Sequence, residues 1–178
     1  MSADIDTAAI EAAARQKRFL QRFMDGVPHL KLIGIGYRDH GKDWAELEMP
    51  FAEQQLADPD YGIIASGAIF TLLDNCAGFA VLVARGEMIP HATLDMRVDY
   101  LRGPAPRATV VGHAECYRIT RQIAFVRGLA HDGDPANPIA NMAGTFMFTA
   151  RAEAAGIFTP RAEGAGMFTA RPGTVAAP

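Results

Sequence analysis

One segment constrains this chain more than any other: SGAIFTLLDNCAGFAVLVAR, residues 66–85. Its apolar side chains (Ile69, Phe70, Leu72, Leu73, Cys76, Phe79, Val81 and Leu82) point in nearly every direction of a 3.6-residue period. The length suits a helix of about five turns, and a helix that is apolar all round is covered on most sides. One row breaks the pattern. Gly67, Thr71, Asp74 and Gly78 follow one another at offsets of 4, 3 and 4, which puts small or polar residues on a single face. A carboxylate inside such a segment is costly to bury unless it is paired or opens into a cleft. Asp74 is therefore either tied to a neighbouring amide or side chain, or is a general base or nucleophile facing a pocket.

The rest of the chain supplies the wrapping. Residues 5–26 alternate apolar and charged positions at helical spacing, with Pro28 as the stop, and are expected to lie on the outside of the domain. Strand-like runs are Leu32–Tyr37 and Trp44–Phe51, joined by a turn around Gly41, with a polar loop over 52–61. After the apolar helix come Ala92–Leu101, Ala108–Ile119, Ile123–His131 and Pro138–Thr149, with no second helix among them. The order predicts an α+β domain in which a curved antiparallel sheet wraps one central helix. FTAR, FTPR and FTAR then recur at a period of 10 from residue 148. That array is too short to build a core, so 151–178 reads as a loosely attached tail.

Composition narrows the function. A net charge of −3 argues against a nucleic-acid binder. The apolar stretch Gly62–Ala84 is interrupted by Thr71, Asp74 and Asn75, the first 25 residues lack an apolar signal core, and the two cysteines lack metal-type spacing. These features suggest a cytoplasmic protein with reduced thiols, Cys76 being a core thiol. None of the five histidines (29, 40, 91, 113 and 131) is spaced as a metal ligand with another His or Cys. His91, just before Thr93, either approaches a pocket or is a surface residue at a strand start, the second being the simpler reading. Ser66 lacks the Gly-x-Ser-x-Gly context of a serine hydrolase.

The helix start adds a second candidate. Ser66, Gly67 and Ala68 offer small side chains and free N–H groups at the positive end of the helix dipole, suited to a carbonyl or an oxyanion. Ser66 as a simple N-cap explains the same residues.

Four strings together, GIIASGAIFTLLDNCAG, HATLDMRVDYLRGPAP, RITRQIAFVRGLAHDG and IANMAGTF, resemble the PaaI-type hot-dog thioesterases over residues 28–150. The resemblance implies a hot-dog fold acting on acyl-coenzyme A, with no metal or redox cofactor. It further implies a homodimer, or a dimer of dimers, with sites at the subunit interface. Asp74 falls on the family's catalytic carboxylate, Gly67 on the glycine beside the oxyanion-binding amide, and Thr93 on the hydroxyl that orients water. Arg118 and Arg121 fall where relatives carry basic residues near the coenzyme A phosphates, with Arg102 a further candidate. The chain departs from the family at its helix start, where Ala65-Ser66-Gly67 replaces His-Gly-Gly, and upstream, where residues 58–61 supply no Asn. Three functions follow: an acyl-coenzyme A thioesterase, a non-catalytic acyl-coenzyme A binder, and a hydratase or dehydratase. The last needs a His, and none stands near Asp74 on the helix. Phe70, Leu73, Phe79 and Met96 are candidates for lining an acyl pocket or for the core.

Overall fold

Apolar alternation sets the sheet. In Trp44–Met49, Ala45, Leu47 and Met49 are buried while Trp44, Glu46 and Glu48 turn outward, as period 2 requires. A computed structural model describes residues 17–18, 20–87 and 89–149. The repeats beyond 149 and the first part of the N-terminal helix expectation lie outside the described residues.

The strands are β1 (Gly36–His40), β2 (Trp44–Met49), β3 (Leu56–Asp58), β4 (Ile63–Ile64), β5 (His91–Tyr100), β6 (Val110–Ile119), β7 (Ile123–His131) and β8 (Ala140–Phe148). Six of them form one sheet in the order β1-β2-β6-β7-β8-β5, with every pairing antiparallel. Two helices are labelled here, α1 (Pro28–Ile33) and α2 (Ser66–Arg85). α2 lies across the inner face and buries Ile69, Leu72, Leu73, Cys76, Ala77, Phe79, Ala80, Val81 and Val83. It sits close because Gly112 faces it: a Cβ there would stand 3.1 Å from Leu72. Cys76 donates its S–H to the carbonyls of Ala45 and Gly112, and burial pushes its thiol up to about 12. A single helix held against one curved antiparallel sheet is the hot-dog architecture.

Two expectations change. The run Leu32–Tyr37 is not a strand, because Pro28 starts a short helix at its first turn and Gly34 ends it in the left-handed region at φ 80°. Leu32 is left 69% exposed, and pairing begins only at Gly36. The helical residues 20–25 keep the amphipathic pattern, with Gln21, Arg22 and Asp25 exposed while Leu20 and Met24 join the core and Phe23 meets the Phe79 ring edge-on at 5.5 Å. The 52–61 loop contains a 3-10 turn, Glu53–Gln55, and strand β3.

Candidate functional site

β5 and α2 run antiparallel and touch along their length. His91 packs over Gly78, where a Cβ would stand 3.5 Å from its Nε2. The Thr93 hydroxyl donates to Asp74 Oδ1 at 2.8 Å. The Tyr100 hydroxyl donates to the Ser66 carbonyl at 2.8 Å. His91, Thr93 and Tyr100 reach the helix together because their register with Phe148, Phe146 and Ala140 of β8 places all three on the inner face. A bulge between Thr93 and Asp95 leaves Leu94 half exposed and restores the alternation beyond it.

Asp74 is half-buried and lines a cavity of about 210 Å³ with Asn75, Gly78, Phe79, His91, Thr93 and Phe146. Thr93 is its sole hydrogen-bond partner among the described residues, which leaves Oδ2 without one. The carboxylate is neither sealed in the core nor saturated by amides, and it is free to accept a proton from a bound molecule.

The helix start is a separate opening. Gly67, Ala65, Ala68, Thr71, Leu32, Ile33 and Gln55 line a cleft of about 350 Å³. The N-cap is Ala65, not Ser66, and it makes no side-chain cap. Ser66 is the first helical residue, and the N–H groups of Ser66 and Gly67 meet no acceptor among the described residues. Ala68 differs, because its N–H already donates to the Ala65 carbonyl at 3.0 Å, which removes it as a free backbone donor. A Cβ at Gly67 would meet nothing within 4 Å, so the approach to these amides is open.

Gln55, in the stretch read as a polar loop, anchors this opening. It is 3% exposed and its side chain donates to the carbonyls of Ile33 and Pro50 and accepts from the Ala52 N–H. Its own carbonyl accepts from the Ala65 N–H at 2.7 Å. One buried amide thus ties the end of α1, the exit of β2 and the start of α2 together.

The arginines divide. Arg118 and Arg121 are exposed at the β6–β7 turn and pair with no carboxylate among the described residues. Arg102 is committed elsewhere: both its terminal nitrogens grip Asp132, at 2.9 and 2.5 Å, and it also bonds the Asn137 and Gly103 carbonyls. That rules it out as a free phosphate ligand. Of the proposed acyl lining, Phe79 faces the Asp74 cavity, whereas Leu73 is fully buried and Phe70 is 42% exposed. Phe23, Leu82 and Phe146 line the cavity as well. His91 is half-buried and lines the Asp74 cavity, the placement that its position just before Thr93 allows and that the β5 register fixes on the inner face. No group of three or more potential ligands able to hold a metal occurs among the described residues.

The thioesterase superfamily model matches residues 61–139. A Pseudomonas aeruginosa protein of known crystal structure is 32% identical, with a TM-score of 0.69 over 75% of this chain and 98% of its own. The chain belongs to the thioesterase superfamily. Its fold is also that of a Haemophilus influenzae thioesterase, 18% identical, with a TM-score of 0.66 over 75% of this chain and 90% of its own. The PaaI protein from the phenylacetic acid degradation operon of E. coli shares it too, at 16% identity and a TM-score of 0.66 over 78% and 95% of the two chains. No curated protein sequence matches. Within the superfamily match fall the open helix start, Asp74 and Thr93.

Proposed function

We propose that the protein hydrolyses acyl-coenzyme A thioesters, with Asp74 as general base. The observation that carries this is the Asp74 carboxylate, held on one oxygen by Thr93 and open on the other to a cavity. A water donating to Oδ2 attacks the thioester carbonyl carbon, and its proton passes to Asp74. The carbonyl oxygen becomes an oxyanion that the free Ser66 and Gly67 N–H groups are suited to hold. Collapse breaks the C–S bond, and the thiolate takes the proton back from Asp74.

A single chain does not complete this arrangement. Seven residues separate Gly67 from Asp74, about 10 Å along a helix axis, whereas base and oxyanion donors must flank one carbonyl. β5 is an edge strand of ten residues with one side unpaired, the kind of edge that a second copy covers. Antiparallel pairing of two β5 strands across a two-fold axis would bring the helix start of one copy toward Asp74 of the other, giving two sites per dimer.

The test is release of free thiol from a panel of aliphatic and aromatic acyl-coenzyme A esters by wild type and Asp74→Asn. Asp74-dependent release supports hydrolysis; tight binding without it would leave a non-catalytic acyl-coenzyme A binder. His91 in the Asp74 cavity also supplies the His–carboxylate pair that hydration of an enoyl thioester needs. Loss of the enoyl absorbance without thiol release would mark that chemistry instead.

A further inference from the structure

We infer that His91 is a further catalytic residue of this site, the acceptor for the second hydrogen of the attacking water. The inference rests on the hydrolase reading above. Three observations carry it. The Nδ1 of His91 lies 3.0 Å from the Ile89 carbonyl, which can only accept, so Nδ1 carries the hydrogen and Nε2 presents its lone pair. The ring is set edge-on to Phe146 at a centroid distance of 5.7 Å, and Nε2 meets the helix at Gly78, the position where that face has no side chain. No described residue gives Nε2 a hydrogen bond, and the imidazole lines the same cavity as Asp74 and Thr93.

The polarity of the cavity then identifies what it holds. Thr93, a lining residue, spends its hydroxyl hydrogen on Asp74, so its oxygen is left as an acceptor. Asn75, on the same wall, spends an amide hydrogen on the Thr71 carbonyl. Asp74 Oδ2, Thr93 Oγ1 and His91 Nε2 are all acceptors, and such a set fits a molecule with two hydrogens to give. Water fits it, and the second amide hydrogen of Asn75 remains available to the water oxygen. One hydrogen goes to Asp74 as the C–O bond forms and is returned to the leaving thiolate as the C–S bond breaks. The other remains on the new carboxylic acid. Nε2 removes it, leaving a carboxylate and an imidazolium that passes the proton to solvent. The sum is thioester and water giving carboxylate, thiol and one proton.

The experiment measures kcat and KM by thiol release for wild type, Asp74→Asn, His91→Gln and His91→Ala, the last with added imidazole or pyrazole. His91→Ala is expected to lose roughly 10²-fold in kcat, with KM nearly unchanged. His91→Gln, which keeps an acceptor but takes no proton, falls between the two. Imidazole restores turnover to His91→Ala, whereas pyrazole, a ring of the same size and far weaker basicity, does not. Wild-type kcat in both variants, or equal rescue by both rings, would overturn the inference while leaving the hydrolase reading intact. Absence of Asp74-dependent release from wild type would overturn both together. If His91→Ala melts at the assay temperature, the bulkier His91→Gln carries the decision, and an unchanged kcat there rejects the proposal.

Discussion

Two aspartates in this chain have opposite surroundings. Asp132, beyond β7, has a side chain only 8% exposed, gripped by both terminal nitrogens of Arg102 and by the Ala105 N–H. That guanidinium holds its carboxyl well below the usual carboxylate range. Asp74, in the middle of α2, has a single neutral hydroxyl partner and no paired cation among the described residues. Asp132 closes the 101–105 segment onto the 132–137 turn, and nothing remains for it to bind. Asp74 keeps an oxygen unspent at the wall of a cavity. A carboxylate whose hydrogen bonds are all used internally serves stability; one left partly unsatisfied beside a cavity is available for chemistry.

Exchanging each carboxylate for its amide breaks the comparison most directly. Asp74→Asn is expected to lower kcat about 10³-fold, with melting within a degree or two of wild type, because Thr93 still has an oxygen to donate to. A drop in melting temperature that matched the loss of turnover would place Asp74 with Asp132 as a structural group. Asp132→Asn should do the reverse, costing about 2 kcal/mol of stability through loss of charge-assisted bonds, with kcat unchanged. Its signature is in acid. The folded-state pKa of Asp132 lies below the unfolded value, so its stabilisation is present above the unfolded carboxylate pKa and is lost as pH falls through the folded one. Wild type should therefore lose stability more steeply than Asp132→Asn as the pH drops below ~4, measured by urea unfolding across a pH series.

The same contrast explains what the sequence disclosed. Asp74 was legible because it sits in a local apolar period where a charge is out of place. β2 was legible from alternation, and β5 to β8 from strand-like runs separated by turn residues with no helix between them. The misread pieces depend on contacts distant in sequence. Asp132 meets Arg102 thirty residues away, Gln55 meets Ile33 across twenty-two, and His91 reaches the cavity only through the parity of β5 beside β8. Leu32–Tyr37 failed for a local reason instead: Pro28 and Gly34 are helix start and stop signals, and they override a short alternating run.

Thr93 sharpens the comparison at intermediate size, being the only group holding Asp74 among the described residues. Thr93→Val keeps the shape and removes the hydroxyl. Turnover should fall about tenfold, the worth of one well-placed hydrogen bond, while Thr93→Ser restores most of it. Equal kcat in Val and Ser variants would mean that the carboxylate orients itself without help.

The smallest effect belongs to Arg118 and Arg121, which have what Arg102 lacks, a guanidinium without a carboxylate partner among the described residues. Ile123 pairs with Met147, and Met147 pairs with Ala92, so the turn carrying Arg121 stands at the same end of the sheet as His91. Two strand spacings are about 10 Å, a span that a coenzyme A chain would cover if the proposed thioester is held in the Asp74 cavity. Because both side chains are solvated, each is worth about 0.2–1 kcal/mol to a bound phosphate. Replacing both with alanine should raise KM for an acyl-coenzyme A a few-fold, leave kcat unchanged, and flatten the rise of KM with added salt. An acyl-pantetheine, which has the same thioester and no nucleotide phosphates, should show no difference between wild type and variant. If its KM rises equally, the arginines act on the turn rather than on phosphate, and the nucleotide end of the substrate lies elsewhere on the surface.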